Sequence, residues 1–190
     1  MLEGELVRLE PMGPAHEDGL WEASRDERTW RWLSVEQPRT RAELRAHLDA
    51  ALASAAAGLE LPLVTVSRES GRVIGSTRYL ALRPEARSVE IGWTWLTPEA
   101  WGKGANVEAK LLMLGYAFEE LGCLRVELKT DARNERSRGA MAALPAQFEG
   151  VHRKHMLVRG GERRDSAWYS VLDDEWPEVR ANLLRRLGRE

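Results

Sequence analysis

The sequence has little of what marks several large protein classes. Among its 190 residues there is one cysteine, Cys123, which excludes an internal disulfide and any multi-cysteine metal site and fits a reducing compartment. It stands between Leu121 and Leu124 at the entry to an apolar strand, a setting for a buried, inert thiol rather than a nucleophile. No apolar run approaches the ~20 residues of a membrane span, and the N-terminal MLEGELVRLE lacks an apolar core flanked by basic residues. The expectation is a soluble, cytoplasmic protein with no membrane partner. Neither sign of charge dominates, with 28 Lys and Arg against 30 Asp and Glu, so no global field draws in nucleic acid. A basic stripe interleaved with aromatics is missing as well. Repeats and low-complexity linkers are absent, and the length suits one domain, residues 1–190, with its own core.

What is present is organised around residues 88–121, SVEIGWTWLTPEAWGKGANVEAKLLMLGYAFEEL. Residues 89–96 read as a strand, Trp101, Gly102, Lys103, Gly104, Ala105 and Asn106 as a turn, and a helix starts at once behind them. Where a turn opens a helix, several N–H groups lack intrahelical acceptors and sit at the positive end of the dipole, so they can hold a phosphate or pyrophosphate. Gly102, Gly104 and Ala105 keep that backbone uncovered, and a side chain at either glycine would shield the amides or forbid a positive φ. Lys103 adds a charge of the right sign. A Gly-x-Gly before a helix is also an ordinary turn. This one is neither a P-loop, since no Gly-Lys-Ser/Thr ending appears, nor a dinucleotide fingerprint, since the third glycine is missing.

On the N-terminal side, residues 5–10 make a first strand and 15–25 a helix with Leu20 and Trp21 inside; Trp30, Trp32 and Leu33 form an aromatic knot that suits core packing. Thr40 and Glu43 make a capping box for a helix carrying Leu44, Leu48, Ala51 and Leu52 as far as Gly58. The period then changes to two. Residues 61–69 and 72–82 form a hairpin, and 89–96 follows as a third antiparallel strand, with Val89, Ile91, Trp93 and Trp95 on one face and Glu90, Gly92 and Thr94 on the other, open to a ligand. The next helix packs Leu111, Leu112, Leu114, Ala117, Phe118 and Leu121 on the sheet. A strand at 124–130 is parallel to its predecessor because the helix between them is a crossover. A short helix at 135–144, strands near 147–158 and 165–172, and an amphipathic helix at 175–186 close the chain.

In that order of elements, EIGWTWLTPEAWGKGANVEAK (90–110), LRVELKTDARNERSRGAM (124–141), AQFEG (146–150) and DSAWYSVLDDEW (165–176) resemble the GNAT superfamily of acetyl-CoA-dependent N-acetyltransferases, closest to the branch of ribosomal-protein N-terminal acetyltransferases. The resemblance covers most of residues 88–176; residues 1–60 match only by helical pattern. It implies an α/β (mixed α+β) fold of the acyl-CoA N-acyltransferase type: a mixed, mostly antiparallel sheet of about seven strands flanked by helices and splayed at the fourth and fifth strands. It also implies acetyl-CoA as co-substrate. Trp95, Leu96 and Thr97 would offer backbone to the pantetheine arm, Trp101 through Asn106 would hold the pyrophosphate, and Asn134 would touch the pantetheine region with Ser137 one helical turn on. Asn134 is equally suited to be a helix N-cap. Several positions depart from the pattern. Glu99 replaces Arg or Gln, Val107 replaces Thr, and Pro145 replaces a glycine, so the chain is expected to leave that helix in another way. The general-acid tyrosine of many relatives falls at Met141, and a glutamate used by some falls at Met156.

Acetyl transfer to an amine needs the amine unprotonated, the carbonyl polarised and the thiolate able to leave. Positioning, with one strand amide on the thioester oxygen, can supply much of the rate, which is why similar enzymes share no single acid–base pair. The candidates for proton transfer are Glu90, Ser137 and His155. Glu90 could equally be ion-paired and His155 structural. His152 and His155, three apart on a strand, are expected on opposite faces, which argues against a shared metal. The reading is an N-acetyltransferase acting on an amine acceptor, a peptide N-terminus or a small molecule, and not on nucleic acid. The alternative is a non-catalytic acyl-CoA-binding or regulatory module. The tryptophan-rich surface and the apolar stripe of the last helix either cover each other or pair two subunits, and the leaning is to a homodimer.

Overall fold

Local chemistry sets the first helices. The capping box expected at Thr40 is formed: Thr40 Oγ1 accepts from the Glu43 amide at 3.2 Å while the Glu43 carboxylate takes the Thr40 amide at 3.3 Å. In the computed structural model, which describes residues 1–189, this starts α2 (Arg41–Ala56). It packs with α1 (Glu17–Ala23) on one face of the sheet, burying Leu20, Ala23, Leu44 and Leu48 against Val64 and Val66.

The sheet comprises β1 (Leu2–Glu3), β2 (Val7–Pro11), β3 (Leu61–Ser67), β4 (Val73–Arg83), β5 (Ser88–Leu96), β6 (Arg125–Asp131), β7 (Gln147–Val158) and β8 (Glu162–Leu172), in the order β1-β2-β3-β4-β5-β6-β8-β7. Among the described residues there are thus eight strands rather than seven, because Leu2–Glu3, ahead of the expected first strand, folds back on it as a hairpin closed by the Gly4 amide on the Val7 carbonyl. Every pairing is antiparallel except β5 with β6, as the crossover through α3 (Ala105–Gly115) requires. That parallel pairing covers only Ser88–Arg125, Val89–Val126 and Glu90–Glu127. Beyond it the two strands separate, as the resemblance implied.

Where the two strands part, β5 is irregular. Ser76 faces Trp95 but Arg78 faces Gly92, so Thr77 on β4 opposes both Trp93 and Thr94 in a β-bulge, with Trp93 at φ +50°. A bulky residue in the left-handed region is uncommon and is held here by its surroundings: the Arg78 guanidinium lies 4.4 Å over the Trp93 ring and Thr94 Oγ1 meets Thr77 Oγ1 at 2.8 Å. The bulge corrects the expected alternation. Val89 and Ile91 do face the main core with α3, but the extra residue reverses the facing of the rest of the strand, so Trp95 packs with α1 and α2 against Trp30 at 5.5 Å.

Two further expectations change for local reasons. After Gly115 helix α3 runs on as a π turn (Tyr116–Glu120), whose extra residue per turn rotates the chain and leaves Leu121 50% exposed instead of on the apolar arc. Its buried face is made of smaller and charged residues, Ala105, Glu108, Ala109 and Lys110, with Met113 and Leu114. After helix α4 (Glu135–Ala143) the chain turns through Pro145, the Ala146 amide returning to the Met141 carbonyl at 3.1 Å. The stripe of α5 (Trp176–Arg186) is covered within the subunit, Trp176, Val179 and Leu183 being buried and Trp176 stacked on Phe118. In β7 a register shift between His152 and Met156, with Lys154 at φ +51°, brings His152 and His155 to 5.7 Å of each other beside Trp168. The two imidazoles therefore share a side, contrary to simple alternation.

Candidate active site

The gap between β5 and β6 opens into a cleft of about 550 Å³. Glu90, Trp95, Leu96, Trp101, Gly102, Gly104, Asn106, Asn134 and Ser137 line it, as do Met141 and Met156. Thr97, Lys103, Ala105 and His155 do not. Thr97 is turned away because its amide is taken by the Ile74 carbonyl at 2.7 Å, and Ala105 is buried beneath the helix start. Lys103 stands on the exposed turn. His155 is held at Trp168, with Nδ1 3.0 Å from Ser166 Oγ.

At one end of the cleft, Gly102 and Gly104 have φ of +73° and +84°, which an L side chain adopts only with strain. The first α3 bond runs from the Glu108 amide to the Gly104 carbonyl, leaving the amides of Ala105, Asn106 and Val107 without intrahelical acceptors. Arg136 stacks 3.5 Å over the Trp101 ring, and Arg186 also lines the cleft. The Trp101 indole N–H donates to the Leu96 carbonyl at 2.9 Å, so the free edge of β5 is narrower than three whole residues. Helix amides without acceptors, the positive end of the α3 dipole and two guanidinium groups converge at this end.

Asn134 serves as an N-cap, its Oδ1 accepting from the Ser137 amide at 3.2 Å, while it also faces the cleft and donates to Thr130 Oγ1 at 3.2 Å. Glu90 is 2% exposed and is ion-paired with Lys129 Nζ at 2.6 Å. Burial raises its pKa, and the attraction of Lys129 opposes that rise without cancelling it. His155 is shifted down by burial and by the neighbouring Lys129, His152 and Arg164. Among the described residues no three His, Cys, Asp or Glu side chains are placed to share a metal ion.

Several residues of the cleft were not singled out in the sequence. Lys110 is 9% exposed, donates to Thr94 Oγ1 at 3.1 Å, and has its pKa pushed down by burial to about 8. It had a readable signal: one of four lysines, set in the middle of an apolar helix. Lys129, Arg136 and Arg164 had none, because long charged side chains on strands and short helices are ordinarily solvated.

A family model described as Acetyltransferase (GNAT) domain matches residues 7–146. Over 90 residues the chain is 37% identical to YdaF of Bacillus subtilis (strain 168), which is named as a candidate ribosomal N-acetyltransferase, covering 47% of this chain and 48% of that one. Over 105 residues it is 30% identical to the uncharacterized N-acetyltransferase YoaA of the same organism, covering 55% and 58%. The match thus spans about half the length of these curated relatives. Among solved structures, a GCN5-related N-acetyltransferase from Brucella melitensis superposes with a TM-score of 0.91 at 36% identity, over 97% of this chain and 83% of that one. Mycobacterium smegmatis RimJ in complex with CoA-disulfide shares the fold, with a TM-score of 0.81 at 21% identity over 96% of this chain and 90% of that one.

Proposed function

Because this chain belongs to the GNAT acetyltransferase family, we propose that it transfers an acetyl group from acetyl-CoA to a primary amine by direct attack of the amine on the thioester. The observation that carries the reading is the cleft itself: two parallel strands that part after three residue pairs, next to helix amides without acceptors. Those amides, with Arg136 and Arg186, suit a pyrophosphate, and the gap between the strands suits an extended arm. Acetyl-CoA would supply the activated acyl carbon and a thiolate that leaves readily.

The chain's own residues then have distinct tasks. The amides of Ala105, Asn106 and Val107 bind the pyrophosphate, and the Leu96 edge of β5 with Asn134 aligns the arm. A backbone amide of β5 at the Trp93–Thr94 bulge polarises the carbonyl. Glu90, its pKa raised by burial, takes the proton of the amine directly or through water, and Ser137 returns one to the thiolate. The Glu90–Lys129 ion pair favours the other reading, a non-catalytic acyl-CoA-binding module, because a paired carboxylate is a weaker base. Release of free thiol from acetyl-CoA with any amine separates the two.

The binding half is tested by Asn106→Asp. The change is nearly isosteric, and a carboxylate in the first turn favours the helix, so the unliganded protein should keep its stability. Acetyl-CoA at a hundred times its Kd should stabilise the wild type by about 2.7 kcal/mol. The variant should bind at least about 10-fold more weakly, through repulsion of like charges. Unchanged affinity would refute the pyrophosphate assignment.

A further inference from the structure

The acceptor side of the cleft carries a dense set of charges, and most of those on β6 and around the β7–β8 turn are matched. Lys129 is paired with Glu90 at 2.6 Å, Arg133 with Asp131 at 2.8 Å and Glu162 at 2.6 Å, and Arg159 with Glu162 at 2.9 Å. Arg164, on β8 opposite Met156, has no carboxylate within ion-pair distance among the described residues. It is nonetheless 6% exposed and lines the cleft. Among the described residues its one hydrogen bond, from Nη1 to Ser34 Oγ, is long at 3.3 Å, and its Nε is buried with no partner. Asp131 and Glu90 are close enough to act on its charge, as are Arg133 and Arg159 with the opposite sign.

A buried guanidinium with an unused fork is costly unless something accepts from it. The group whose geometry fits that fork is a planar carboxylate, held by two parallel N–H bonds. We propose that Arg164 receives a carboxylate of the acceptor, so that the amine acetylated here is borne by a molecule with a carboxylate nearby: a free amino acid, or a peptide whose first residue is acidic. The amine then lies toward Glu90 and the carboxylate toward Ser34 and Met156, in the same cleft. The inference rests on the acetyl-transfer reading for its chemistry, but the carboxylate site can be tested without turnover.

The experiment compares matched pairs: free amino acids against their amides, and amidated peptides beginning with Asp or Glu against those beginning with Asn or Gln. Thiol release from acetyl-CoA should favour the carboxylate member of a pair. Arg164→Gln should lower kcat/KM for that member by about 100-fold, mainly through KM, and leave the neutral member nearly unchanged. Arg164→Lys, which keeps the charge and loses the fork, should fall between, and equal melting temperatures would show that both variants fold. The same pairs are titrated calorimetrically into the CoA-bound protein. Thiol release that ignores the carboxylate, or equal loss with both members in Arg164→Gln, overturns the proposal and leaves acetyl transfer standing. Carboxylate-selective binding without any thiol release supports the site and refutes acetyl transfer. Absence of both selective binding and selective turnover refutes the site.

Discussion

Replacing Lys110 with methionine should stabilise this protein at neutral pH, and the gain should vanish in alkali. Lys110 sits in the wall of the cleft with, among the described residues, one hydroxyl partner, Thr94, and no carboxylate. Burial therefore penalises its charged form and moves its pKa from the ordinary 10.5 to about 8. The unfolded chain keeps the higher value, so between pH 8 and 10.5 it binds more protons than the folded one, and stability rises with pH through that window. Below pH 8 the full penalty is present. A drop from 10.5 to about 8, at about 1.4 kcal/mol per pH unit, comes to about 3 kcal/mol. Methionine has similar length, no charge, and a neighbouring Met113 to pack against, but it forfeits the Thr94 bond, worth about 1 kcal/mol. The net expectation is a gain of about 2 kcal/mol at pH 7, roughly 4–8 °C in Tm, turning into a small loss near pH 10.5. Urea denaturation of both proteins at half-unit steps from pH 7 to 10.5 measures this difference. Other groups that titrate there, Cys123 and Tyr79 among them, are common to both proteins and cancel. A difference that stays constant across the range, or a variant less stable at pH 7, would refute the claim that a buried charge is the cause.

Glu90→Gln should lower kcat/KM and remove the acidic limb of its pH profile, since activity through a carboxylate base rises as pH climbs past its raised pKa; acetyl-CoA affinity should stay within a few-fold. If His155→Ala abolishes that limb while Glu90→Gln keeps it, the base is the histidine. Ser137→Ala should reduce kcat by about 10-fold to 100-fold, at or below the range for general catalysis, because water can replace a weakly acidic hydroxyl; an unchanged single-turnover rate would remove it from the chemistry. Glu108→Ala should destabilise by about 3 kcal/mol or more, roughly 6–12 °C in Tm. Its carboxylate accepts from the amides of Glu5, Leu6 and Val7 and from Arg189, all of which would lose their acceptor. Burial alone would raise its pKa, yet those donors hold it below the ordinary 4.5, so its contribution is present above pH 4.5 and lost as pH falls through the folded value. Thermal melts from pH 3 to 7 that lose their acid slope in the variant would confirm it, and an unaltered slope would not fit.

Much of the fold was legible because its signals are local. The Thr40–Glu43 box, the turn at Gly102 and Gly104, and the switch from period 3.6 to period two near Leu61 depend on residues a few positions apart. The parallel pairing of β5 with β6 came from the one crossover between them. The meeting of Asn134, Ser137, Trp101 and Gly104 in one cleft was legible too, through likeness to a known family.

The tertiary structure alone decided every feature that depends on where one extra residue falls or which charge meets which. A single bulge at Trp93 reverses the faces of β5 and sends Trp95 to the other core, and nothing in the alternation of residues 89–96 announces it. The shift at Lys154 does the same for His152 and His155, because a side-chain period of two turns any one-residue slip into a change of face. Ion pairs are made between residues far apart in the chain, so the pairing of Glu90 with Lys129, and the guanidinium of Arg164 left without a carboxylate among the described residues, exist only once the strands lie side by side.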